Sequence, residues 1–212
     1  MNFVILIIAA YLLGSVPFGQ IIAKVHGKDL RTVGSGNIGA TNLSRTLGKK
    51  WGYLCFLLDV AKGLIPTLAA HRFVSSSSPT VLELFLWLAV GCAAVLGHVF
   101  SIYIKFKGGK GVATSFGVAL GIWPYFTICA AISFTIWIVV TLIWRYISLA
   151  SIVAAVTFPI ALILLILIKP WRFAELWPLF TIAVGISVMV VILHLENIKR
   201  IIKGTENKIL QK

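Results

Sequence analysis

The chain has 212 residues, of which 59% are hydrophobic; 19 are Lys or Arg and 6 are Asp or Glu, which gives a formal net charge of +13 at pH 7. Its mean hydropathy is +1.01. A soluble domain of this composition would lack the polar side chains needed to cover its surface, so the composition excludes a soluble globular protein and indicates a bilayer as the solvent. Cys55, Cys92 and Cys129 all lie in apolar runs and predict neither a disulfide framework nor a metal site.

Apolar runs of membrane-spanning length predict an all-α, polytopic integral membrane protein with seven transmembrane helices in one domain, residues 1–212. The runs cover residues 2–23, 51–70, 81–104, 112–123, 124–144, 148–168 and 177–195. Gly14-Ser15-Val16-Pro17 predicts a kink in the first run, and Pro124 predicts the break between the fourth and fifth. The fourth run is short for a hydrocarbon core of about 30 Å, which leaves room for a re-entrant loop before it.

The basic residues orient the chain. Fifteen of the Lys and Arg residues lie in the segments that follow spans one, three, five and seven, whereas the opposite side has Arg72, Lys169 and Arg172. The positive-inside rule therefore predicts an N-terminus outside and a C-terminus in the cytoplasm. The first run has no basic segment before it and no small-residue cleavage site after it, so we expect it to be retained.

Residues 34–45, called here the glycine segment, read Gly-Ser-Gly-Asn-Ile-Gly-Ala-Thr-Asn-Leu-Ser-Arg. We predict a loop whose backbone N–H groups turn toward an anion, because glycine tolerates the positive φ angles that such a nest needs. Arg45 adds a planar fork suited to phosphate or carboxylate. The alternative is an ordinary polar connection between two apolar runs. The glycine spacing also matches the dinucleotide-binding fingerprint, but the preceding run is too long for the strand that a Rossmann unit requires.

Residues 107–115, called here the lysine segment, read Lys-Gly-Gly-Lys-Gly-Val-Ala-Thr-Ser. Gly111 follows Lys110 where a Walker A loop requires Ser or Thr, so the segment is not a P-loop. It nevertheless combines glycines, two lysines and the start of a helix, which together predict an anion site. The alternative is a basic surface loop that binds lipid headgroups.

The third polar segment, residues 194–208, begins at the cytoplasmic end of the seventh run and is called here the tail segment. His194 and Asn197 are spaced to share one helix face, and His194 is a candidate phosphate donor or base, or simply an interfacial residue. Inside the second run, Asp59 and Lys62 are spaced as an ion pair, which we expect to brace the site. His98 is expected either to support the lysine segment or to touch substrate.

These three segments, in this order and between these spans, resemble the PlsY family, the bacterial acyl-phosphate-dependent glycerol-3-phosphate acyltransferases. The resemblance rests on residues 34–42 with Arg45, on residues 107–115, and on His194, Asn197 and residues 204–208. Residues 14–19 and 59–63 also look like family patterns. Ser101 stands where the family has proline and Leu195 replaces a more usual basic residue, but neither departure touches an expected phosphate contact.

The resemblance implies transfer of a fatty acyl group from acyl phosphate to the 1-hydroxyl of glycerol 3-phosphate. The products would be lysophosphatidic acid and inorganic phosphate, in the first acylation step of phospholipid biosynthesis. It implies a multi-pass protein of the bacterial inner membrane whose active site faces the cytoplasm. The expected partners are the two substrates, membrane lipid and a soluble enzyme that makes acyl phosphate; no cofactor, metal or nucleic acid is expected.

Acyl phosphate is a mixed anhydride with a good leaving group, so positioning and charge stabilisation suffice without a covalent acyl-enzyme. The proton of the attacking hydroxyl goes to His194 or to the donor's own phosphate oxygen, and the scarcity of carboxylates favours the substrate-assisted route. The residues expected to act in catalysis are His194, Ser35 and Asn37. Those expected to bind substrate are Gly34, Gly36, Thr41, Asn42, Arg45, Lys107, Gly108, Gly109, Lys110, Gly111, Thr114, Ser115 and Asn197, with Asp59, Lys62 and His98 in support.

Three rival functions differ from this expectation. An anion transporter would show inverted repeats and a midplane site, whereas the polar segments here fall on one side. A scaffold for anionic lipid would need lysines alone, not the asparagines and glycines of residues 34–42. A thioester-dependent acyltransferase is the third rival, although no nucleotide-binding module for coenzyme A is evident.

Overall fold

The computed structural model describes residues 2–75 and 79–209, so Lys212 of the basic tail lies outside the described residues. This part of the chain contains ten α-helices and one 3-10 turn, and no β-strand occurs in it. The helices are α1 (Asn2–Ser15), α2 (Phe18–Val25), α3 (Ala40–Leu47), α4 (Lys49–His71), α5 (Val81–Val99), α6 (Val112–Gly121), α7 (Tyr125–Trp144), α8 (Ile147–Ile168), α9 (Phe173–Leu193) and α10 (Leu195–Ile202); the 3-10 turn is Ile102–Ile104.

Six helical segments of the described chain are long and apolar enough to cross a membrane. They are Phe3–Val25, Lys49–His71, Val81–Ile104, Tyr125–Trp144, Ile147–Ile168 and Phe173–Leu193. The fourth predicted span corresponds to α6, which is apolar but has only 10 residues and is therefore about 15 Å long. The all-α prediction is confirmed, and six of the seven predicted spans have a helix of spanning length.

Two prolines mark the predicted helix breaks. Helix α1 ends before Pro17 and α2 begins directly after it. Similarly, α6 ends shortly before Pro124 and α7 begins directly after that residue. Proline lacks a backbone N–H and has a fixed φ, which suits the start of a helix and prevents continuation from the preceding turn. The predicted kink at residues 14–17 is an interruption between α1 and α2, and the predicted break at Pro124 is confirmed.

The first of two compact units comprises Met1–Ser77 and Leu86–Ile122. Helix α4 is its centre, and α1, α2, α3 and α6 all pack against it. Glycines allow the close approach: a Cβ at Gly63 would collide with the carbonyl oxygen of Thr114 in α6, and a Cβ at Gly52 would collide with Ser44 in α3. The backbones of α3 and α6 therefore lie directly on α4.

The second unit comprises Ser78–Phe85 and Trp123–Lys212. Within it, α8 packs against both α7 and α9, and α10 packs against α8 and α9. The end of the described chain returns to the corner between α7 and α8, where the backbone N–H of Ile209 donates to the carbonyl oxygen of Arg145 over 2.7 Å. This contact places the tail segment beside the start of α8.

Two predictions of local structure were wrong. Residues 34–45 are not a loop throughout, because α3 begins at Ala40. Leu43 is fully buried in a cluster with Leu30 and Cys55, so burial of apolar side chains at helical spacing favours a helix over the expected loop. The seventh helix also ends at Leu193, two residues early, and a separate helix starts at Leu195. His194 is therefore the N-cap of α10, the helix that contains Asn197, and the two residues do not belong to the helix of the seventh predicted span.

Candidate active site

The glycine segment is organised by the buried side chain of Asn42 in α3. Its Oδ1 accepts a hydrogen bond from the backbone N–H of Ser35 over 3.0 Å. Its Nδ2 lies 3.2, 3.0 and 2.9 Å from the carbonyl oxygens of Leu30, Val33 and Asn37, respectively. Asn42 is 1% exposed, and both of its polar atoms are engaged by the segment's own backbone. We therefore assign Asn42 a positioning role in place of the expected substrate contact.

Three backbone N–H groups of the glycine segment donate to acceptors in or near the segment itself. The N–H of Ser35 is used by Asn42, the N–H of Gly36 donates to Val33, and the N–H of Gly39 donates to the side chain of Asn37 over 2.8 Å. The predicted nest is therefore wrong at these three positions. Positive φ is real at Gly34 (60°) and Gly36 (71°), but it serves a turn, and a Cβ at Gly34 would collide with Asn42.

The chain entering the glycine segment is held by three residues that the sequence interpretation missed. Gln20 is buried in α2; its Nε2 donates to Asp29 over 2.8 Å and its Oε1 accepts from the N–H of Leu30. Arg31 pairs with Asp29 over 2.6 Å. The pKa of Asp29 lies well below its usual range because Arg31 and Gln20 donate hydrogen bonds to its carboxylate. The Gln20 amide and the Asp29 carboxylate are nine residues apart and match no sequence motif.

Four polar side chains lie at or near the surface of the glycine segment. Ser35 and Arg45 are exposed, and Thr41 and Asn37 are half-buried. Thr41 and Arg45 are four residues apart on α3, so they share one face of that helix. A hydroxyl, an amide and a guanidinium are thus presented on a rigid base.

The lysine segment caps the end of α5. The N–H of Gly108 donates to Val99 and the N–H of Gly109 donates to His98, both over 3.0 Å. These two donors satisfy carbonyl groups that α5 leaves unpaired, so the expectation that they face an anion is wrong. Gly111 has a φ of 77° and immediately precedes α6, where its conformation turns the chain into the helix. Lys107 is exposed and Lys110 is half-buried.

The first turn of α6 presents the anion-binding features that the lysine segment predicts. The opening N–H groups of an α-helix have no partner within the helix and carry its positive dipole end. The hydroxyls of Thr114 and Ser115 are buried there, and neither has a hydrogen-bond partner among the described residues. Buried hydroxyls without partners are costly, which marks this turn as a place for an additional polar group.

Asp59, Lys62 and His98 form a buried charged cluster in the first unit. Lys62 Nζ lies 2.9 Å from Asp59 Oδ1, and its Nζ also donates to the carbonyl oxygen of Val16 over 2.9 Å. His98 Nδ1 lies 3.6 Å from the same carboxylate oxygen. The Cys55 thiol donates to Asp59 Oδ2 over 3.6 Å. The expected pairing of Asp59 with Lys62 is confirmed, and His98 joins it.

In the second unit, Glu206 gathers the polar side chains of the tail segment. Its Oε1 accepts from Asn197 over 2.6 Å and from Ser148 over 2.8 Å, and its Oε2 accepts from Arg200 over 2.7 Å. Burial acts to raise the pKa of Glu206, but these three hydrogen bonds outweigh it and leave the pKa below its usual value. Neither Glu206 nor Ser148 is among the expected site residues, although Glu206 lies in residues 204–208, which contribute to the family resemblance.

His194 is buried at the junction of α9 and α10. Its Nδ1 donates to the carbonyl oxygen of Val190 over 2.7 Å, since a carbonyl accepts and does not donate. In the neutral ring Nε2 is then the acceptor nitrogen, which is compatible with either a base or a hydrogen-bond acceptor.

The first unit thus brings together the glycine segment, the lysine segment and Asp59, Lys62 and His98, all held against α4. The second unit brings Asn197 together with Glu206 and places His194 at the start of the same helix. In residues 2–75 and 79–209, no group of three His, Cys, Asp or Glu side chains has the arrangement of a metal site.

Comparison with known proteins identifies the family. The family model for glycerol-3-phosphate acyltransferase matches residues 4–204. The chain belongs to the glycerol-3-phosphate acyltransferase family. A relative from Geotalea daltonii, named glycerol-3-phosphate acyltransferase, is 48% identical over 206 residues, which cover 96% of each chain. The resemblance drawn from the three segments is confirmed, and the protein is an acyltransferase.

Two solved structures of this acyltransferase family agree with the fold. A crystal structure of PlsY, an integral membrane glycerol 3-phosphate acyltransferase, in its glycerol 3-phosphate form is 40% identical, with a TM-score of 0.84 over 99% of this chain and 96% of that one. The lysophosphatidic acid form of PlsY is 38% identical, with a TM-score of 0.80 over 98% and 95%. The chain is therefore similar to an integral membrane acyltransferase over nearly its whole length.

Replacement of Asn42 by Ala tests its positioning role. The change leaves the N–H of Ser35 and three carbonyl groups without their partner, so we expect a loss of about 2 kcal/mol or more in the free energy of unfolding. We also expect faster amide hydrogen exchange across residues 33–39. Thr46→Ala is the matched control, because the Thr46 hydroxyl bonds only to the carbonyl of Asn42 one turn away. Unchanged exchange in Asn42→Ala would contradict the assignment.

Replacement of Glu206 by Gln tests the tail cluster. A carboxyl whose folded-state pKa is lowered stabilises the fold above its unfolded-state value near 4.5 and loses that contribution as the pH falls through the folded-state pKa. At pH 7 we expect Glu206→Gln to lower the free energy of unfolding by about 2 kcal/mol, and the difference from wild type to shrink below pH 4.5. Thermal unfolding between pH 7 and 3.5 measures both.

Glu196→Gln is the control for this series. The Glu196 side chain is 72% exposed and pairs with Lys199 at the surface, so we expect its removal to leave stability nearly unchanged. A Glu206→Gln difference that is constant across the pH range would show that the carboxylate charge is not what holds the cluster.

Proposed function

We propose that the protein transfers a fatty acyl group from acyl phosphate to the 1-hydroxyl of glycerol 3-phosphate, giving lysophosphatidic acid and inorganic phosphate. One observation carries this proposal: two segments suited to phosphate are anchored on the same helix of a membrane protein. The glycine segment contacts α4 directly, because a Cβ on Gly52 would collide with Ser44 and because Leu43 lies in one buried cluster with Cys55. The lysine segment is attached through His98 to Asp59, one helical turn further along.

The chemistry of two phosphate-bearing substrates suits this arrangement. Arg45 and the side chains of Ser35 and Thr41 supply one set of anion-binding groups, and Lys107, Lys110 and the first turn of α6 supply the other. The unpaired hydroxyls of that turn favour a bound oxyanion there. The similar PlsY structures, one in a glycerol 3-phosphate form and one in a lysophosphatidic acid form, support the same acceptor and product for this chain.

We propose that the reaction is substrate-assisted. The 1-hydroxyl oxygen attacks the carbonyl carbon of the donor, the carbon–oxygen bond to phosphate breaks, and the hydroxyl proton passes to an oxygen of the departing phosphate. The protein aligns the two reactants and stabilises charge on the carbonyl oxygen and the phosphate. Ser35 and Asn37 orient the reacting groups, and His194 and Asn197 remain the candidate binding residues of the tail segment. No covalent acyl-enzyme forms.

The remaining expectations concern the setting of the reaction. We propose that α6 provides the seventh membrane segment of a chain with its N-terminus outside and its C-terminus in the cytoplasm. The basic asymmetry of the sequence supports this orientation in a bacterial inner membrane. The family match over residues 4–204 supports one acyltransferase domain. A soluble enzyme that makes acyl phosphate would deliver this labile donor at the cytoplasmic face.

The donor identity is tested with purified protein in lipid or detergent. Glycerol 3-phosphate is supplied with palmitoyl phosphate or with palmitoyl-CoA, and both phosphate release and lysophosphatidic acid are followed. We expect turnover with palmitoyl phosphate only, and a loss of at least a hundredfold in kcat/KM for Arg45→Ala, about the effect of removing a charged phosphate contact. Turnover with palmitoyl-CoA but not with palmitoyl phosphate would show that the donor is a thioester. No turnover with either donor would refute the proposed reaction.

The proton route is tested with His194→Asn. General bases typically contribute a factor of about 10² to 10⁴, so we expect the substrate-assisted route to leave a loss below a hundredfold and an unchanged pH dependence of kcat/KM. His26→Asn, at an exposed histidine, is the control. A wild-type acidic limb near pH 6.5 that disappears in His194→Asn would instead make this histidine the base.

A further inference from the structure

The lysine segment rests on the side chain of His98 as well as on the end of α5. A Cβ placed on Gly109 would collide with Nε2 of His98 and lie 3.0 Å from its Cε1, so the backbone of Gly109 lies directly against the imidazole edge. The opposite ring nitrogen, Nδ1, faces the Asp59 carboxylate at 3.6 Å. The ring is thus held between a carboxylate in α4 and the backbone of the lysine segment.

The Asp59 carboxylate is itself contacted at both of its oxygens by neighbours in α4. Lys62 approaches its Oδ1 to 2.9 Å, the Cys55 thiol approaches its Oδ2, and both residues belong to the same helix as Asp59. Lys62 also donates to the carbonyl oxygen of Val16, at the break between α1 and α2. Asp59 and Lys62 are 3% and 2% exposed, so the carboxylate has a fixed position in the first unit.

We propose that Asp59 is a positioning residue that fixes the lysine segment through His98. The proposal rests on the proposed function, in that the lysine segment binds a phosphate of the substrates. The Asp59 carboxylate sets the orientation of the His98 ring, and the ring sets how far Gly109 lies from α5. Gly109 lies between Lys107 and Lys110 in the chain, and the first turn of α6 follows. The distance of these groups from the glycine segment therefore depends on the side chain of Asp59, which lies outside the lysine segment.

The first test compares Asp59→Asn and His98→Ala with Thr67→Val. Thr67 is a matched control: it is fully buried in α4, and among the described residues its hydroxyl donates to the carbonyl of Gly63 one turn away. A displaced phosphate site raises the KM for a phosphate-bearing substrate, whereas partial unfolding lowers the apparent kcat and leaves KM unchanged. We expect about a tenfold rise in the KM for glycerol 3-phosphate or acyl phosphate in the first two variants and no rise in Thr67→Val.

The second test uses the glycines as probes of the contact with the ring. Gly109→Ala collides with the His98 side chain, whereas Gly108→Ala collides with the backbone carbonyls of His98 and Val99. Removal of the ring by His98→Ala should therefore relieve the first change and not the second. We expect kcat/KM of Gly109→Ala/His98→Ala to be at least that of Gly109→Ala alone, and the effects of Gly108→Ala and His98→Ala to be additive.

A third readout does not depend on turnover. In Asp59→Asn and His98→Ala, amide hydrogen exchange at residues 108 and 109 should accelerate at least tenfold, while Thr67→Val leaves it unchanged. If wild-type protein shows no acyl transfer, the proposed function fails and this exchange still decides the positioning role. If Asp59→Asn does not fold, the positioning role is decided by His98→Ala alone and by its combinations with Gly109→Ala and Gly108→Ala. Unchanged KM, additive Gly109→Ala and His98→Ala effects and unchanged exchange would overturn the proposal.

Discussion

A helix that stops in apolar surroundings leaves carbonyl groups without hydrogen-bond partners, and the described structure is built around satisfying them. The break after α1 is closed by Ser101, which donates to the carbonyl of Ser15, and by Lys62, which donates to that of Val16. The end of α5 is closed by Gly108 and Gly109. Near the end of α9, His194 donates to the carbonyl of Val190. Residues with the chemistry of an active site thus also complete the broken helices.

This dual use explains where the sequence interpretation succeeded. Proline acts on its own backbone and on the preceding turn, which favours the interruptions at Pro17 and Pro124. Local chemistry does not decide alone, because α4, α8 and α9 each continue through a proline. The length of an apolar run likewise predicts a membrane-spanning helix without any knowledge of its tertiary contacts. The i, i+3 spacing of Asp59 and Lys62 predicts their contact because both lie on one helix.

The failures share one cause, which is that hydrogen-bond partners are set by tertiary structure. The glycine segment predicts free N–H donors, but Asn42 occupies the N–H of Ser35. In the lysine segment, the end of α5 occupies the N–H groups of Gly108 and Gly109. Glu206 gathers Ser148 from 58 residues away, and no spacing rule connects them. Composition and motifs indicate phosphate chemistry and the family, while tertiary structure decides which polar groups hold the scaffold and which face a ligand.

Helix α4 has a further consequence for how such a chain tolerates change in length. Gly52, Cys55, Asp59 and Gly63 recur at three- and four-residue intervals and meet α3, α2, His98 and α6, respectively. One inserted residue turns everything beyond it by about 100° and shifts it by about 1.5 Å. An insertion between these positions would therefore change where the glycine segment lies relative to the lysine segment. The number of residues between these four positions of α4 is therefore constrained, whereas the side chains on its exposed face are free to vary.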